Sequence, residues 1–173
     1  SITNCEFYYS TAHRGGALYD YTGDSHYHNC AFSYNAAADG YGGAVYNVGP
    51  IDVTDCFFEY NTALNGGAIY NDGTEQVTGP DAVYYSLDIG QNSAAQYGGG
   101  IYNEKCSPLF ELCQVHDNTA NAGGGFFNYS NGSPTLNDCD IKNNLATGTD
   151  SYGSGIYCDK YSSPIIGDGT VIS

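Results

Sequence analysis

Residues 56–71 read Cys-Phe-Phe-Glu-Tyr-Asn-Thr-Ala-Leu-Asn-Gly-Gly-Ala-Ile-Tyr-Asn, and they contain two short motifs that decide the fold. The first motif is Cys-x-apolar-x-x-Asn, and the second is Gly-Gly-Ala-apolar-Tyr-Asn. Copies of the first motif, two of them imperfect, begin at Cys5, Cys30, Cys56, Leu87, Cys113 and Cys139. Copies of the second motif begin at Gly15, Gly42, Gly66, Gly98, Gly123 and Gly153. Six paired copies, at intervals of 25, 26, 31, 26 and 26 residues, indicate a repeat architecture.

The repeat unit predicts a stacked all-β fold. Each copy contains short strand-like pieces separated by Gly, Asn, Asp and Pro, and no helical periodicity is present. A unit of about 25 residues cannot bury its own apolar positions, so successive units must stack. We therefore predict a right-handed, single-stranded parallel β-helix of about six rungs, roughly 30 Å tall. Residues 1–173 are expected to form a single β-helix domain, either as an excerpt of a longer column or as a stacking unit in one.

Strand alternation predicts which side chains face the interior. In the first motif the Cys and the apolar residue two positions later share a face. This predicts a core ladder of Cys5, Cys30, Cys56, Cys113 and Cys139. These thiols either stay reduced as small apolar residues or form disulfides between adjacent rungs.

The second motif places an apolar residue inward and the following aromatic residue outward. It predicts an exposed aromatic stripe along the column, formed by Tyr19, Tyr46, Tyr70, Tyr102, Phe127 and Tyr157. The stripe is either an interface for another protein or for sugar rings, or a set of stacking contacts that stabilises the sheet. The asparagines of both motifs predict two ladders of stacked amides, and the glycine pairs predict turns with positive φ and close backbone approach.

The composition restricts the possible partners. The chain has 19 acidic and 4 basic residues, for a net charge of −15. Phosphate backbones and anionic lipid surfaces require clustered Lys and Arg, so no nucleic-acid partner is expected. No apolar run approaches the roughly 20 residues of a membrane span, so no membrane insertion is expected.

Catalytic patterns are weak. The chain has one Arg for the acid–base chemistry of a polysaccharide lyase. The acidic residues Glu59, Asp88 and Asp140 do not align as the pair of carboxylates that a hydrolase needs. We therefore predict no catalytic residue and no cofactor.

Metal-binding patterns are also incomplete. His26-Tyr-His28 places two imidazoles on one strand face, but a third ligand would be needed. Asn71-Asp-Gly and Gly167-Asp-Gly resemble fragments of calcium loops and also fit plain turns, so calcium stays open as a ligand and the metal-site residues are unknown.

Two further segments carry predictions. Asn128-Tyr-Ser and Asn131-Gly-Ser fit the acceptor pattern for N-glycosylation, with ordinary turn chemistry as the alternative. The segment from Asp72 to Ala82 lengthens one repeat and is the predicted place of a specific loop function.

The repeated motifs resemble those of a known group of proteins. Phe32-Ser-Tyr-Asn35, Phe58-Glu-Tyr-Asn61 and Gly66-Gly-Ala-Ile69 are similar to the Phe-x-x-Asn and Gly-Gly-Ala-Ile repeats of polymorphic outer-membrane proteins and related adhesin-like β-helix proteins. The resemblance covers nearly the whole chain, although three repeats have Ile or Val in place of Phe, at Ile89, Val115 and Ile141. It implies a surface-exposed protein with an adhesive or scaffolding role and without a shared active site.

The expected function is therefore that of a non-enzymatic structural or adhesive β-helix, extracellular or at the cell surface. Because the strand edges at both ends of the predicted column are uncovered, copies are expected to stack head to tail into a fibre, or the column contacts other surface proteins or glycans. The alternative is a polysaccharide-active enzyme or a sugar-binding module on the same fold, since polysaccharide-cleaving enzymes share this architecture.

Overall fold

The computed structural model describes residues 1–21, 23–74, 81–149 and 152–173. Within these ranges all regular structure is β, in 25 short strands that form four parallel sheets. The chain passes through the four sheets in a fixed order and then begins the next coil. No helix in the described ranges is long and apolar enough to cross a membrane. The prediction of an all-β parallel solenoid of about six turns is confirmed.

The first two sheets each contain seven strands in the described ranges. Sheet 1 contains, in spatial order, β1 (Ile2–Thr3), β4 (Ser25–His28), β8 (Ile51–Thr54), β12 (Val83–Tyr85), β16 (Leu109–Glu111), β20 (Thr135–Asn137) and β24 (Ile165–Ile166). Sheet 2 contains β2 (Glu6–Tyr8), β5 (Ala31–Ser33), β9 (Phe57–Glu59), β13 (Asp88–Gly90), β17 (Gln114–His116), β21 (Asp140–Lys142) and β25 (Val171–Ile172).

The other two sheets are shorter. Sheet 3 contains β6 (Ala36–Tyr41), β10 (Thr62–Asn65), β14 (Ser93–Tyr97), β18 (Thr119–Ala120) and β22 (Leu145–Ala146). Sheet 4 contains β3 (Leu18–Asp20), β7 (Val45–Asn47), β11 (Ile69–Asp72), β15 (Ile101–Glu104), β19 (Phe126–Tyr129) and β23 (Ile156–Cys158).

Equivalent residues of successive repeats lie directly over one another. Phe32 pairs with Phe7 on one side and Phe58 on the other. Tyr70 likewise pairs with Tyr46 and Tyr102. The file arrangement predicted from the two motifs is therefore confirmed, because a shift of one residue would have turned each set to the opposite face.

The interior is filled by these files. The rings of Phe7, Phe32 and Phe58 stack with centroids 4.6 and 4.7 Å apart, and Tyr84 stacks on Phe110 at 4.6 Å. Burial of such apolar surface is the main favourable contribution to folding. The first motif places Phe7, Phe32 and Phe58 inward because each lies two residues after its Cys, whereas Tyr84 and Phe110 come from sheet 1.

The predicted cysteine ladder lies in this interior. Cys30, Cys56, Cys113 and Cys139 are buried and Cys5 is half-buried, and in the described chain all are free thiols. The Cys56 thiol donates to the carbonyl oxygen of Thr54 two residues earlier, at 3.2 Å. Burial raises the pKa of Cys56 to about 11, so this thiol is held in its neutral, poorly nucleophilic form at neutral pH.

The asparagine of the first motif forms a buried amide ladder, as predicted. Each side-chain amide donates to the Oδ1 atom of the asparagine one coil further on, at 2.9 to 3.0 Å. It also donates to a carbonyl oxygen of the coil before, for example from Asn61 to Phe32 at 2.8 Å. The members of this ladder are Asn35, Asn61, Asn92, Asn118 and Asn144. Because buried amides are costly without partners, this pairing makes the turn specific for asparagine.

The second asparagine ladder is also confirmed. Asn47, Asn71, Asn103 and Asn128 connect by amide-to-Oδ1 hydrogen bonds of 3.1, 2.8 and 2.9 Å. Asn128 then donates to the Sγ atom of Cys158, at 3.5 Å, so this thiol ends the ladder.

The turns of each coil use the left-handed backbone region in two ways. The turn between sheets 3 and 4 places glycine there: Gly66 has φ of +65°, and a Cβ atom on it would lie 2.4 Å from the Ile69 carbonyl oxygen. The following Gly67 approaches the next coil so closely that a Cβ atom would lie 2.1 Å from the oxygen of Gly99. The predicted role of the glycine pairs is therefore confirmed.

The turn between sheets 2 and 3 places non-glycine residues in the same conformation. These residues are Tyr9, Tyr34, Tyr60, Gln91, Asp117 and Asn143, with φ between 52° and 59°. Each directly precedes the first-ladder position of its coil. The hydrogen-bonded asparagine after the turn offsets the steric cost of a left-handed L-residue.

Candidate functional site

The aromatic stripe predicted from the second motif is a continuous stack. Successive ring centroids lie 4.5 to 5.3 Å apart and the planes are within 15° of parallel. The stack passes from Tyr19 through Tyr46, Tyr70, Tyr102 and Phe127 to Tyr157. The order of these residues is as predicted.

The predicted exposure of the aromatic stripe is wrong for its central members. Tyr46, Tyr70, Tyr102 and Phe127 are buried, with exposed fractions of 2 to 7%, Tyr157 is half-buried, and Tyr19 is exposed. The side chains do point away from the main interior, but they form a second apolar cluster outside sheet 4. The central part of the stripe is therefore not an open aromatic surface. Its role as an interface stays a prediction.

A row of residues at the ends of the sheet 3 strands covers the stripe. Tyr41 lies 5.0 Å from Tyr70, Tyr97 lies 4.5 Å from Phe127, and the Arg14 guanidinium lies 5.2 Å from the Tyr46 ring, all measured to ring centroids. We call the file Arg14, Tyr41, Asn65, Tyr97 and Ala122 the cover row, because strand register and single bridges place its members on successive coils. Its large side chains shield the central rings of the stripe from most of the solvent.

The hydroxyl groups of the stripe meet acidic side chains on the neighbouring coil. Tyr46 donates to Asp72, and Tyr70 donates to Glu104. Burial raises the pKa of both tyrosines, and the adjacent carboxylates raise it further. The tyrosines are therefore held as neutral hydrogen-bond donors.

A groove opens beside the stripe on its C-terminal half. It has a volume of about 680 Å³. Its lining is aromatic and polar: Asn65, Tyr97, Tyr102, Asn121, Ala122, Phe127, Tyr129, Gly148, Thr149, Tyr152, Tyr157 and Asp159. A groove of this size and mixed lining is typical of a small-ligand site.

Asn65 lines this groove and is chemically unusual. Only 9% of the residue is exposed, yet its Oδ1 atom accepts no hydrogen bond from any described residue. It is the one such buried side-chain atom in the described part of the chain. Asn65 directly precedes the second motif, at a position whose residue type varies among the repeats, so sequence patterns do not mark it.

A second file of stacked tyrosines faces solvent. The rings of Tyr9, Tyr34 and Tyr60 stack with centroids 5.2 and 4.9 Å apart, and the side chains are 76, 46 and 41% exposed. We call these three residues the outer tyrosine file. This file was not predicted, because strand alternation would turn Tyr34 and Tyr60 inward, whereas the left-handed turn reverses them.

The candidate acidic residues of sheet 2 are engaged in local contacts. His116 lies between Asp88 and Asp117, with nitrogen-to-oxygen distances of 2.8 Å to each. Burial alone lowers the pKa of His116, but the hydrogen bonds and charges of Asp117 and Asp88 outweigh it, so that its pKa is raised. Asp140 pairs with Lys142 at 2.6 Å.

The two histidines of the His-x-His motif each have an acidic neighbour on the next coil. His26 lies 3.0 Å from Asp52, and His28 lies 3.6 Å from Asp55. Among the residues that the structure describes, no three His, Cys, Asp or Glu side chains gather as a metal site would require. Calcium binding stays an untested prediction.

The two glycosylation acceptors differ in accessibility. Asn128 is fully buried in the second asparagine ladder, and its Nδ2 atom donates to Cys158. A glycan attached to this nitrogen would require the ladder to open, so burial opposes this prediction. Asn131 is exposed, so its modification stays a prediction. Most of the 72–82 insertion, residues 75–80, lies outside the described residues.

The stacked coils, repeated files and parallel pairing define a β-solenoid repeat protein. Residues 1–171 match the family model of the right-handed β-helix region, and the chain therefore belongs to the right-handed β-helix family. No curated protein and no solved structure matches the chain.

Proposed function

We propose that this chain is a non-enzymatic β-helix with a structural or adhesive role, extracellular or at the cell surface. The observation that carries the proposal is the continuous stacking of equivalent side chains through the column, in aromatic, asparagine and cysteine files. Such files stabilise a rigid rod whose length is set by the number of coils. The motif resemblance to adhesin-like β-helix proteins agrees with this role.

The use of the acidic side chains supports a non-enzymatic role. Asp72 and Glu104 accept hydrogen bonds from stripe tyrosines, and Asp88 and Asp117 hold His116. A glycosidase needs two carboxylates free to flank one bond, about 5 to 9 Å apart. These four side chains are instead committed to contacts within the column.

An enzyme assay tests this part of the proposal. The purified chain is incubated with polygalacturonate, xylan and cellulose, with and without calcium, and unsaturated products and new reducing ends are measured. We expect no products above a heat-denatured control. Release of products by the native chain would show that the column is a polysaccharide-active enzyme.

Self-stacking is the second part of the proposal. The last coil exposes Ile165, Ile166, Val171 and Ile172, which are 46 to 61% accessible, and the first coil exposes Ile2. Within residues 1–173, β24 and β25 are the outermost strands of sheets 1 and 2, so in a preparation of these residues a second copy can extend both sheets by pairing its first coil there.

Particle length measures the self-stacking. Light scattering and electron microscopy of the purified chain are expected to show particles that lengthen with concentration. A double variant, Ile166→Asp with Ile172→Asp, is expected to remain short, whereas Leu112→Asp, on the side of the column and 47% exposed, should elongate like the parent. A parent chain that stays monomeric at high concentration would refute self-stacking.

A further inference from the structure

A groove lies on the outer face of sheet 2, over the second coil. Strand register places the small Ala31 between Glu6 of the first coil and Phe57 of the third. The first and third coils are about 9 to 10 Å apart, twice the strand spacing, so the two larger side chains form walls and Ala31 forms the floor. The groove has a volume of about 320 Å³, and these three residues line it. The Phe57 ring is 49% exposed, so its face is open to a ligand.

The same arrangement recurs two residues further along these strands. The small Ser33 lies between Tyr8 of the first coil and Glu59 of the third, so that the acid and the aromatic ring have exchanged sides. Tyr8 is 46% exposed, whereas Ser33 is 8% exposed at the bottom. Because residues two apart on a strand are separated by about 6.6 Å, the two acid–aromatic pairs are also that far apart along the sheet. We call the two pairs, with Ala31 and Ser33 beneath them, the sheet 2 trough.

The two carboxylates of the trough have no partner in the protein. Within the described ranges, the side chains of Glu6 and Glu59 form neither an ion pair nor a hydrogen bond. Asp140, on the same face of the last coils, is by contrast paired with Lys142. The chain has four basic residues against 19 acidic ones, so its own cations cannot neutralise every acid. The trough therefore offers two unpaired negative charges to cations that come from outside the chain.

The aromatic member of each pair suits the same ligand. A Lys ammonium or an Arg guanidinium is attracted electrostatically to the face of a Phe or Tyr ring. This chain already uses the contact, since Arg14 lies 5.2 Å from the ring centroid of Tyr46 and Lys160 lies 4.5 Å from that of Tyr161. In the trough the ring and the carboxylate are on opposite walls, so a cation between them contacts both.

We infer that the sheet 2 trough binds an extended basic segment of a partner protein, with Lys or Arg at alternate positions. Alternate side chains of an extended peptide project to one side about 6.6 Å apart, which matches the separation of the two acid–aromatic pairs. One cation lies over Ala31 and the next lies over Ser33. The net charge of −15 attracts such a segment and opposes side-by-side docking of a second copy. The inference names a partner class for the adhesive role proposed above, and it rests on that role.

Binding is measured by calorimetry, at low and at high salt, with three blocked heptapeptides. The first is Gly-Ser-Arg-Thr-Arg-Ser-Gly, the second is its isomer Gly-Ser-Arg-Arg-Thr-Ser-Gly with adjacent arginines, and the third is the acidic Gly-Ser-Asp-Thr-Asp-Ser-Gly. We expect the alternating peptide to bind about threefold or more tightly than its isomer, because both of its cations reach a carboxylate and a ring. Its affinity should fall at high salt, and the acidic peptide should not bind.

Variants locate the binding on the column. Glu6→Gln with Glu59→Gln is expected to reduce the affinity of the alternating peptide about tenfold, and Phe57→Ala is expected to reduce it about two- to fivefold. The matched control, Asp39→Asn with Glu111→Gln, removes the same two charges from sheets 3 and 1 and should change the affinity less than about twofold. Equal melting temperatures of the parent and the variants show that each remains folded.

The inference would be overturned by absence of peptide binding, by equal affinities of the two arginine peptides, or by equal losses in the trough variant and the matched control. Tighter binding of spermidine than of the alternating peptide would assign the trough to a free polyamine instead. Side-by-side dimers of the parent that Phe57→Ala separates would assign it to a second copy. Either result also overturns the inference. Products in the polysaccharide assay would refute the non-enzymatic role and leave the peptide affinities unchanged, so the two failures are distinguishable.

Discussion

In both the aromatic stripe and the outer tyrosine file, equivalent rings of successive coils stack at a similar spacing, but the stripe is mostly buried and the outer file is exposed. Tyr46 and Tyr70 stack 5.3 Å apart and are almost fully buried, whereas Tyr34 and Tyr60 stack 4.9 Å apart and are nearly half exposed. Stacking therefore does not determine burial. The difference lies in what the neighbouring strand places over each file.

The two corners of the coil explain that difference. At the glycine turn, β6 and β14 end in Tyr41 and Tyr97, which lie against the stripe. At the other turn, the left-handed tyrosines are exposed. An outward-pointing residue in a solenoid is thus exposed at a convex corner and covered where an adjacent sheet extends past it.

The largest predicted effect is the difference in stability loss between removing a ring from the aromatic stripe and removing one from the outer tyrosine file. Tyr70→Ala is expected to destabilise the chain by about 3 to 5 kcal/mol, because it leaves a cavity between stacked rings and an unpaired Glu104. Tyr34→Ala should cost less than about 1 kcal/mol, because its ring is exposed. Urea unfolding measures both, and equal losses would show that the cover row contributes little.

A smaller effect is expected at the two turns. Gly66→Ala is expected to cost about 2 to 3 kcal/mol, because the new Cβ atom meets the Ile69 carbonyl in a left-handed conformation. Gln91→Gly, in the turn of the outer file, should change stability by less than about 1 kcal/mol. Thermal unfolding distinguishes them, and a harmless Gly66→Ala would contradict the steric argument.

Alkaline pH tests the burial of the stripe. The pKa of Tyr70 is raised in the folded chain, so its stabilising contribution is complete below the ordinary tyrosine pKa near 10 and is lost as pH rises above it. Between pH 10 and 11 the parent is expected to lose about 1 kcal/mol more than Tyr70→Phe, which cannot ionise. Parallel pH profiles of the two proteins would mean that Tyr70 ionises freely.

The smallest effect is expected on a later coil, where a polar residue occupies the turn position that the outer tyrosine file occupies on the first three coils. Asp117 occupies the same turn position as Tyr34 and holds His116, whose pKa is raised. Stability from this contact is complete below the ordinary histidine pKa near 6.5 and is lost as pH rises through the folded value. On going from pH 5.5 to pH 8, His116→Gln should therefore lose less unfolding free energy than the parent, by less than about 1 kcal/mol. A larger loss of unfolding free energy in the variant than in the parent would contradict the raised pKa of His116.

The sequence predicted the features that depend on repetition. Equal spacing of Cys30 and Cys56, or of Asn35 and Asn61, is sufficient to predict their files, because in-register stacking places identical positions together. Strand alternation also predicted the inward positions correctly.

The features that depend on a single coil could not be predicted. Tyr41 and Tyr97 each directly precede a copy of the second motif, but the residue type at this position varies among the repeats, so the covering of the stripe was not visible in the sequence. The left-handed backbone at Tyr34 breaks the alternation that pattern analysis assumes. The unpaired oxygen of Asn65 depends on its neighbours in space, which the sequence does not show.

The in-register pairing of the coils has a consequence for how such a gene can change. A duplication of one 26-residue unit adds one member to each file and lengthens the rod by about 4.8 Å, with every new neighbour already of the right kind. An insertion of one residue within β9 would instead turn the residues that follow it in that strand to the opposite face of the sheet. Variation by whole units is therefore tolerated, and a lineage can adjust the reach of the rod through unequal recombination alone.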